Sequence, residues 1–224
     1  MPGLVKYIEI VFEIAYLISV ISLGIIIIKS AKDIEHKLFG YMAIILGAGD
    51  AFHLVPRIIS NATDTFAQHA VSLGFGEMVT SITITIFYVF LYRIFKIHYK
   101  RRNMKKIDWT IFLLAALRII LVALPQNQWT SSDKPYMWGI YRNIPFVILG
   151  IIIVVLFFKE SRITENDSYR NMAAAIILSF IFYLIVVLGA STYPSLGMFM
   201  LPKTLAYVWI VVMGFKDNKR SLRK

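Results

Sequence analysis

Hydrophobic positions in this chain neither alternate nor form narrow stripes. They come in seven long blocks with short polar interruptions, at roughly residues 7–28, 38–59, 70–95, 107–125, 138–158, 172–192 and 196–215. Each block has the length of about twenty residues that a helix needs to cross about 30 Å of hydrocarbon. Short connections predict antiparallel neighbours in a single domain over residues 1–224. The pattern therefore predicts an all-α integral membrane fold, a seven-transmembrane-helix bundle, with a basic tail over residues 216–224.

Composition agrees. The chain is 58% hydrophobic and 17% charged, against about 45–50% and about 25% for soluble domains. It has no cysteine, which excludes disulfides, thiolate metal sites and cysteine nucleophiles. The first block lacks a basic leader and a small-residue cleavage site, so it reads as a retained span.

The net charge of +11 is unevenly placed. Eighteen of the 24 lysines and arginines fall at Lys29–Lys37, Arg93–Lys106, Lys159–Arg170 and Lys216–Lys224. These stretches all lie at one end of the alternating spans. The positive-inside rule then predicts an external N-terminus and a cytoplasmic C-terminus. The basic runs are explained by topology and by anionic lipids at the cytoplasmic face. No nucleic-acid module accompanies them, so no nucleic-acid partner is expected. An isoleucine- and lysine-rich, cysteine-free composition fits a multi-pass protein of a bacterial plasma membrane.

Against this apolar background, Gly47–Arg57 stands out. Asp50, His53 and Arg57 fall at i, i+3 and i+7, on one face of span 2. Ionisable groups at membrane depth are costly and mark sites or internal ion pairs. Others fall at similar depth: Glu9 and Glu13 in span 1, Glu77 and Ser81 in span 3, and Arg118 in span 4. Arg142 and Asn143 open span 5, and Lys203 lies in the outer part of span 7. Four acids and four bases in the outer half suggest mutual neutralisation. The inner halves of spans 1, 5 and 7 are nearly pure Ile, Val, Leu and Phe. An outward-facing polar pocket above a dry plug follows.

Within that pocket Asp50 can orient the His53 imidazole as a general base, with Glu77 as a second carboxylate. These three are the catalytic candidates. Arg57, Ser81, Arg118, Arg142, Asn143 and Lys203 are the ligand-binding candidates. Ser81 could act as a nucleophile, although a helical serine commonly bonds the carbonyl four residues back. His53, Asp50, Glu77 and His69 could approach a metal, but no H-E-x-x-H spacing exists, so neither metal nor cofactor is expected. Lys203 with Glu77 would suit a retinal Schiff base, yet span 6 lacks the aromatic signature that such a chromophore needs.

The outer loops add two candidates. Asn61-Ala62-Thr63 matches a glycosylation sequon. Trp129, Tyr136, Trp138 and Tyr141 suit an interfacial aromatic belt, with a lid over the pocket as the alternative. A weak repeat at an offset of 130 aligns Lys29, Glu35, Met42 and Ala43 with Lys159, Glu165, Met172 and Ala173. It would make spans 1–3 and 5–7 parallel halves joined by span 4.

The segment Gly49-Asp50-Ala51-Phe52-His53-Leu54-Val55-Pro56-Arg57 resembles the G-D-A-x-x-L-x-P-R stretch of lysoplasmalogenase-type membrane proteins. The resemblance covers this stretch alone. It implies a multi-span enzyme that cleaves the vinyl-ether bond of lysoplasmalogens, with Asp50 as the residue carried over. Three functional readings follow. The first is an enzyme acting on a lipid-like substrate. The second is a small-solute transporter with 3+1+3 helix organisation and a small polar ligand. The third is a membrane ligand sensor.

Overall fold

A computed structural model describes residues 2–63, 65–131, 134–165, 167–190 and 192–223. The helices are α1 (Pro2–Ser30), α2 (Ile34–Thr63), α3 (Ala70–His98), α4 (Lys105–Ala123), α5 (Tyr136–Tyr141), α6 (Ile144–Ile163), α7 (Met172–Gly189) and α8 (Met200–Ser221). Short 3-10 segments precede α3 and α8 and follow α4, and no strand occurs among the described residues.

Six segments are long and apolar enough to cross a membrane, with α5 and α6 acting as one. The fourth helix forms as expected, at 19 residues. Its composition falls short because Lys106, Asp108 and Arg118 sit in one short stretch. The fold handles the charges differently: Lys106 stays exposed, Asp108 is partly exposed and Arg118 is buried. Asp108 accepts from Lys96 at 2.6 Å and from Tyr92 at 2.7 Å, whereas Arg118 turns into the bundle. Large apolar side chains cover the outside instead, among them Val11, Ile18, Leu113, Ile120, Ile151 and Leu188. Such a surface is penalised by water and compatible with lipid. The architecture is that of a helical, membrane-embedded protein.

The helices close a ring in the order α1, α2, α3, α4, α6, α7, α8 and back to α1, with α3 touching α6 and α2 touching α8 across the middle. The α2–α3 seam is the most extensive, and glycine makes it possible. A Cβ at Gly76 would run into the Phe52 carbonyl and the His53 backbone. Pro56 has no N–H to offer that same carbonyl, so the Phe52 oxygen lacks its intrahelical donor and the neighbouring helix packs directly onto it. Close backbone approach at small residues is how membrane helices gain packing without a hydrophobic drive.

Two details depart from the sequence pattern. The fifth span breaks at Arg142–Asn143, between α5 and α6, with Pro145 in the first turn of α6. The basic tail is not a separate segment through Ser221, because α8 continues to that residue.

The middle of the bundle is filled by aromatic rings as well as aliphatic chains. Phe146 lies 5.1 Å from Tyr88, and Phe87 lies 5.4 Å from Tyr88 and 5.6 Å from Tyr207. Nearer the basic end, Phe95 packs on Phe157 at 5.2 Å. This plug separates two polar regions, one at each end.

Candidate functional site

The first region is a cavity of about 270 Å³. Its lining comes from the start of α1, the end of α2, the start of α3, the end of α4, the start of α6, the end of α7 and the start of α8. All seven long helices contribute, and they alternate in direction. Asp50, His53, Arg57, Glu77, Ser81, Arg118, Arg142 and Lys203 all line it. Of the candidate residues only Asn143 lies behind the wall. There it donates to the Gly139 carbonyl at 2.7 Å and accepts from Tyr183 at 2.7 Å.

Within the cavity the pairings differ from those expected. Asp50 does not orient His53. Its carboxylate accepts a short hydrogen bond from Tyr16 of α1 and interacts electrostatically with Lys203. His53 instead places Nδ1 at 3.4 Å from the Leu73 carbonyl. Donation there leaves Nε2 with its lone pair, the tautomer a base requires. Ser81 bonds the Glu77 carbonyl at 2.8 Å, so its hydroxyl is not an activated nucleophile.

Mutual neutralisation also fails in its simple form. With the described residues as partners, only Arg57 of the four bases meets carboxylates, at 3.5 Å from Glu9 and 3.2 Å from Glu13. Glu77 is taken by Lys134, at 2.5 Å, from the loop before α5. Arg142 donates to Asn127 at 2.9 Å and stacks 4.2 Å from the Trp129 ring. Lys203 sits over Tyr183 and Tyr207, at 4.9 and 5.5 Å. Arg118 is 1% exposed, with its guanidinium 3.4 Å above the Phe146 ring. Among the described residues its Nε and Nη1 have no hydrogen-bond partner, and neither has Glu13 Oε2.

The loop after α4 closes over this end. Asn127, fully buried, caps α4 by donating to the Leu121, Val122 and Leu124 carbonyls. Trp129 donates to the Val122 carbonyl at 2.8 Å. It is 8% exposed and lines the cavity, so it belongs to a lid and not to an aromatic belt. Tyr136 and Tyr141 remain exposed. Gly74 is where the strap crosses α3, because a Cβ there would strike the Trp129 carbonyl. Asn61 of the sequon is buried and donates to Glu9 at 3.3 Å, which leaves its amide no room for a glycan. His69 lies outside the cavity lining, bonded to the Thr65 carbonyl at 3.0 Å.

The second polar region, at the basic end, went unread in the sequence. His98 of α3 bridges Glu35 of α2 at 2.8 Å and Asp167 of the α6–α7 loop at 3.1 Å. His36 bridges Asp33 at 2.7 Å and Asp217 of α8 at 3.1 Å. Tyr99 donates to Asp167 at 2.5 Å and Tyr169 to Glu35 at 3.2 Å. Burial pushes the Asp167 carboxyl up. Hydrogen bonds from His98, Tyr99 and the Tyr169 N–H outweigh it and hold the group below the usual carboxylate range. Burial and the neighbouring Asp167 push the Tyr99 phenol up. Glu35, His98 and Asp217 bring ligand atoms within 4.8 Å of one another, but both His98 nitrogens are already engaged by carboxylates. The signal available beforehand was two histidines and four acids at helix ends and in their loops.

Comparison with protein-family models, curated proteins and solved structures gives no match.

Proposed function

We propose that the chain is a seven-span membrane enzyme whose cavity opens toward the outer leaflet and takes a lipid-like substrate. α4 would be the seventh span, since 19 residues reach about 28 Å, with Lys105 and Lys106 exposed at its start, Asp108 paired and Arg118 turned inward. The basic end would face the cytoplasm and the N-terminus the outside, by the positive-inside rule. The observation that carries the reading is the cavity itself. One cavity gathers eight of the nine candidate residues among apolar walls that include Phe12, Leu54, Ile84, Val186 and Leu201. His53 Nε2 would serve as the base, and Asp50 would be held in place by Tyr16 and Lys203. Arg118 would stabilise an anionic group or developing negative charge. The likeness of Gly49–Arg57 to lysoplasmalogenase-type proteins points the same way. Anionic lipids would contact the basic face.

A small-solute transporter is the second reading. It is favoured by the inner latch, in which His36–Asp217 and His98–Asp167 tie α2 and α3 to α8 and the α6–α7 loop. Such contacts could act as an inner gate between halves in a 3+1+3 arrangement.

Native mass spectrometry with lipid extraction, on wild type beside Asp50→Asn, tests the first reading. Wild type is expected to retain an amphiphile that the variant loses or holds with changed mass. If both proteins are equally stable and empty, the transporter reading takes first place.

A further inference from the structure

The charges around the cavity are sorted by origin. The carboxylates of Glu13, Asp50 and Glu77 come from α1, α2 and α3. The cations of Arg118, Arg142 and Lys203 come from α4, the α5–α6 junction and α8. Arg57 is the exception, and its guanidinium is taken up by Glu9 and Glu13. The cavity thus has an acidic wall and a basic wall.

Each wall holds a buried charged side chain with at least one polar atom that finds no hydrogen-bond partner among the described residues. On the acidic wall Glu13 is 3% exposed, and its Oε2 is unpartnered while Oε1 meets Arg57 at 3.2 Å. On the basic wall Arg118 is 1% exposed, with Nε and Nη1 unpartnered. No carboxylate among the described residues lies within 4.0 Å of Arg118, Arg142 or Lys203. Leaving atoms of a buried charged group without a hydrogen-bond partner is costly even where the rest of the group is paired. A fold that holds two such groups of opposite sign in one cavity is complementary to something that carries both signs.

Resting on the reading of this cavity as the substrate site, we propose that its ligand is a zwitterion. A phosphate or carboxylate group would meet Arg118 and Lys203, and a protonated amine would meet Glu13. Glu13 meets Arg57 through Oε1 and keeps Oε2 open, whereas Lys134 occupies Glu77 and Tyr16 donates to Asp50. A simple anion would satisfy Arg118 and leave the Glu13 oxygen bare, and a simple amine would do the reverse. The zwitterion can be a lipid headgroup or a free solute, and the two sources separate by experiment.

Binding to the full chain in maltoside micelles is read from Trp129, which forms part of the wall. The free probes are O-phosphoethanolamine against inorganic phosphate, and β-alanine against propionate. The lipid probes are lysophosphatidylethanolamine against lysophosphatidic acid. In at least one pair the amine-bearing member is expected to bind about tenfold tighter or more, the gain of one charge-assisted contact. Glu13→Gln should erase that difference while keeping the amine-free member's affinity. Arg118→Gln should weaken every anion-bearing probe about tenfold or more. If Arg118→Gln does not fold, Glu13→Gln still decides. Equal binding of the two lysolipids, with no amine preference among free probes, overturns the zwitterion and leaves the lipid reading standing. Amine-dependent binding of a free probe with neither lysolipid bound upholds the zwitterion and removes the lipid. Binding of no probe overturns both.

Discussion

The two ends of the bundle hold similar chemistry in opposite states. At the basic end two imidazoles, four carboxylates and two phenols meet, and each histidine bridges two carboxylates. At the cavity end a comparable number of charges converge, yet Arg118 and Glu13 keep unpartnered buried atoms. Both ends share one chain and one cost of burying charge, so desolvation cannot account for the contrast. A saturated network is complete in the folded chain and stabilises it. An unsaturated one is a destabilising feature that the fold retains. The first joins elements and the second awaits a complement.

The largest effect should come from breaking the saturated end. The Asp167 side chain is fully buried and accepts from His98, Tyr99 and the Tyr169 N–H. Asp167→Ala strands those donors and should cost about 3–5 kcal/mol, seen as a melting temperature lower by about 10 °C in detergent. The pH dependence has a definite sign. The carboxyl is lowered in the folded chain, so its contribution is complete above its unfolded value of about 3.9. That contribution disappears as pH falls below this value toward the lowered one. Wild type should lose melting temperature over that acid range, and Asp167→Asn should show a flatter profile. A flat wild-type profile would show that Asp167 gains nothing from its three donors.

A smaller effect of opposite direction belongs to the cavity. Arg118→Met removes a guanidinium whose Nε and Nη1 are unpartnered and which packs on Phe146. A thioether chain of similar length fits the same apolar contacts. Stability without ligand should hold or rise, by up to about 1–4 kcal/mol, as when buried ions give way to apolar residues. Retention of the co-purified amphiphile should be lost. A destabilisation as large as that of Asp167→Ala would make Arg118 a structural residue and dissolve the contrast between the ends.

How far the sequence anticipated these ends follows from geometry. Depth and helix face are readable from rise and period, which is why Asp50, His53, Glu77, Arg118 and Lys203 converge on one cavity as their positions imply. Partner choice is not readable, because it depends on the rotation of each helix against its neighbours. Asp50 therefore meets Tyr16 instead of His53, and Tyr16 offered only a phenol in an apolar run. Loops are least legible. Lys134 reaches Glu77, and Asp167 reaches His98, through chain paths that no periodicity encodes, whereas Asp33 meets His36 at the local i, i+3 spacing. The fourth helix shows the converse. Its four charges obscure a span by composition, and the tertiary placement of Asp108 and Arg118 explains why the helix tolerates the two beyond its exposed lysine start.

The smallest effect on stability should come from the strap that covers the cavity. Lys134 meets Glu77 at 2.5 Å with both side chains partly exposed, 27% and 38%. A partly exposed pair of this kind contributes about 0–1 kcal/mol, so Lys134→Met should melt within a few degrees of wild type. Its kinetic effect should be larger. The strap is anchored at its start by Asn127 and Trp129 on the end of α4. Among the described residues, Lys134 ties the far side of this loop to Glu77 of α3, which lines the cavity. Releasing that side should speed exchange of a bound amphiphile in both directions, with equilibrium affinity changing less than either rate. Stopped-flow tryptophan fluorescence on wild type and Lys134→Met measures both rates. Unchanged rates would mean that the cavity is entered elsewhere, between helices facing the lipid. The strap would then be part of the wall, as fixed as the network at the opposite end.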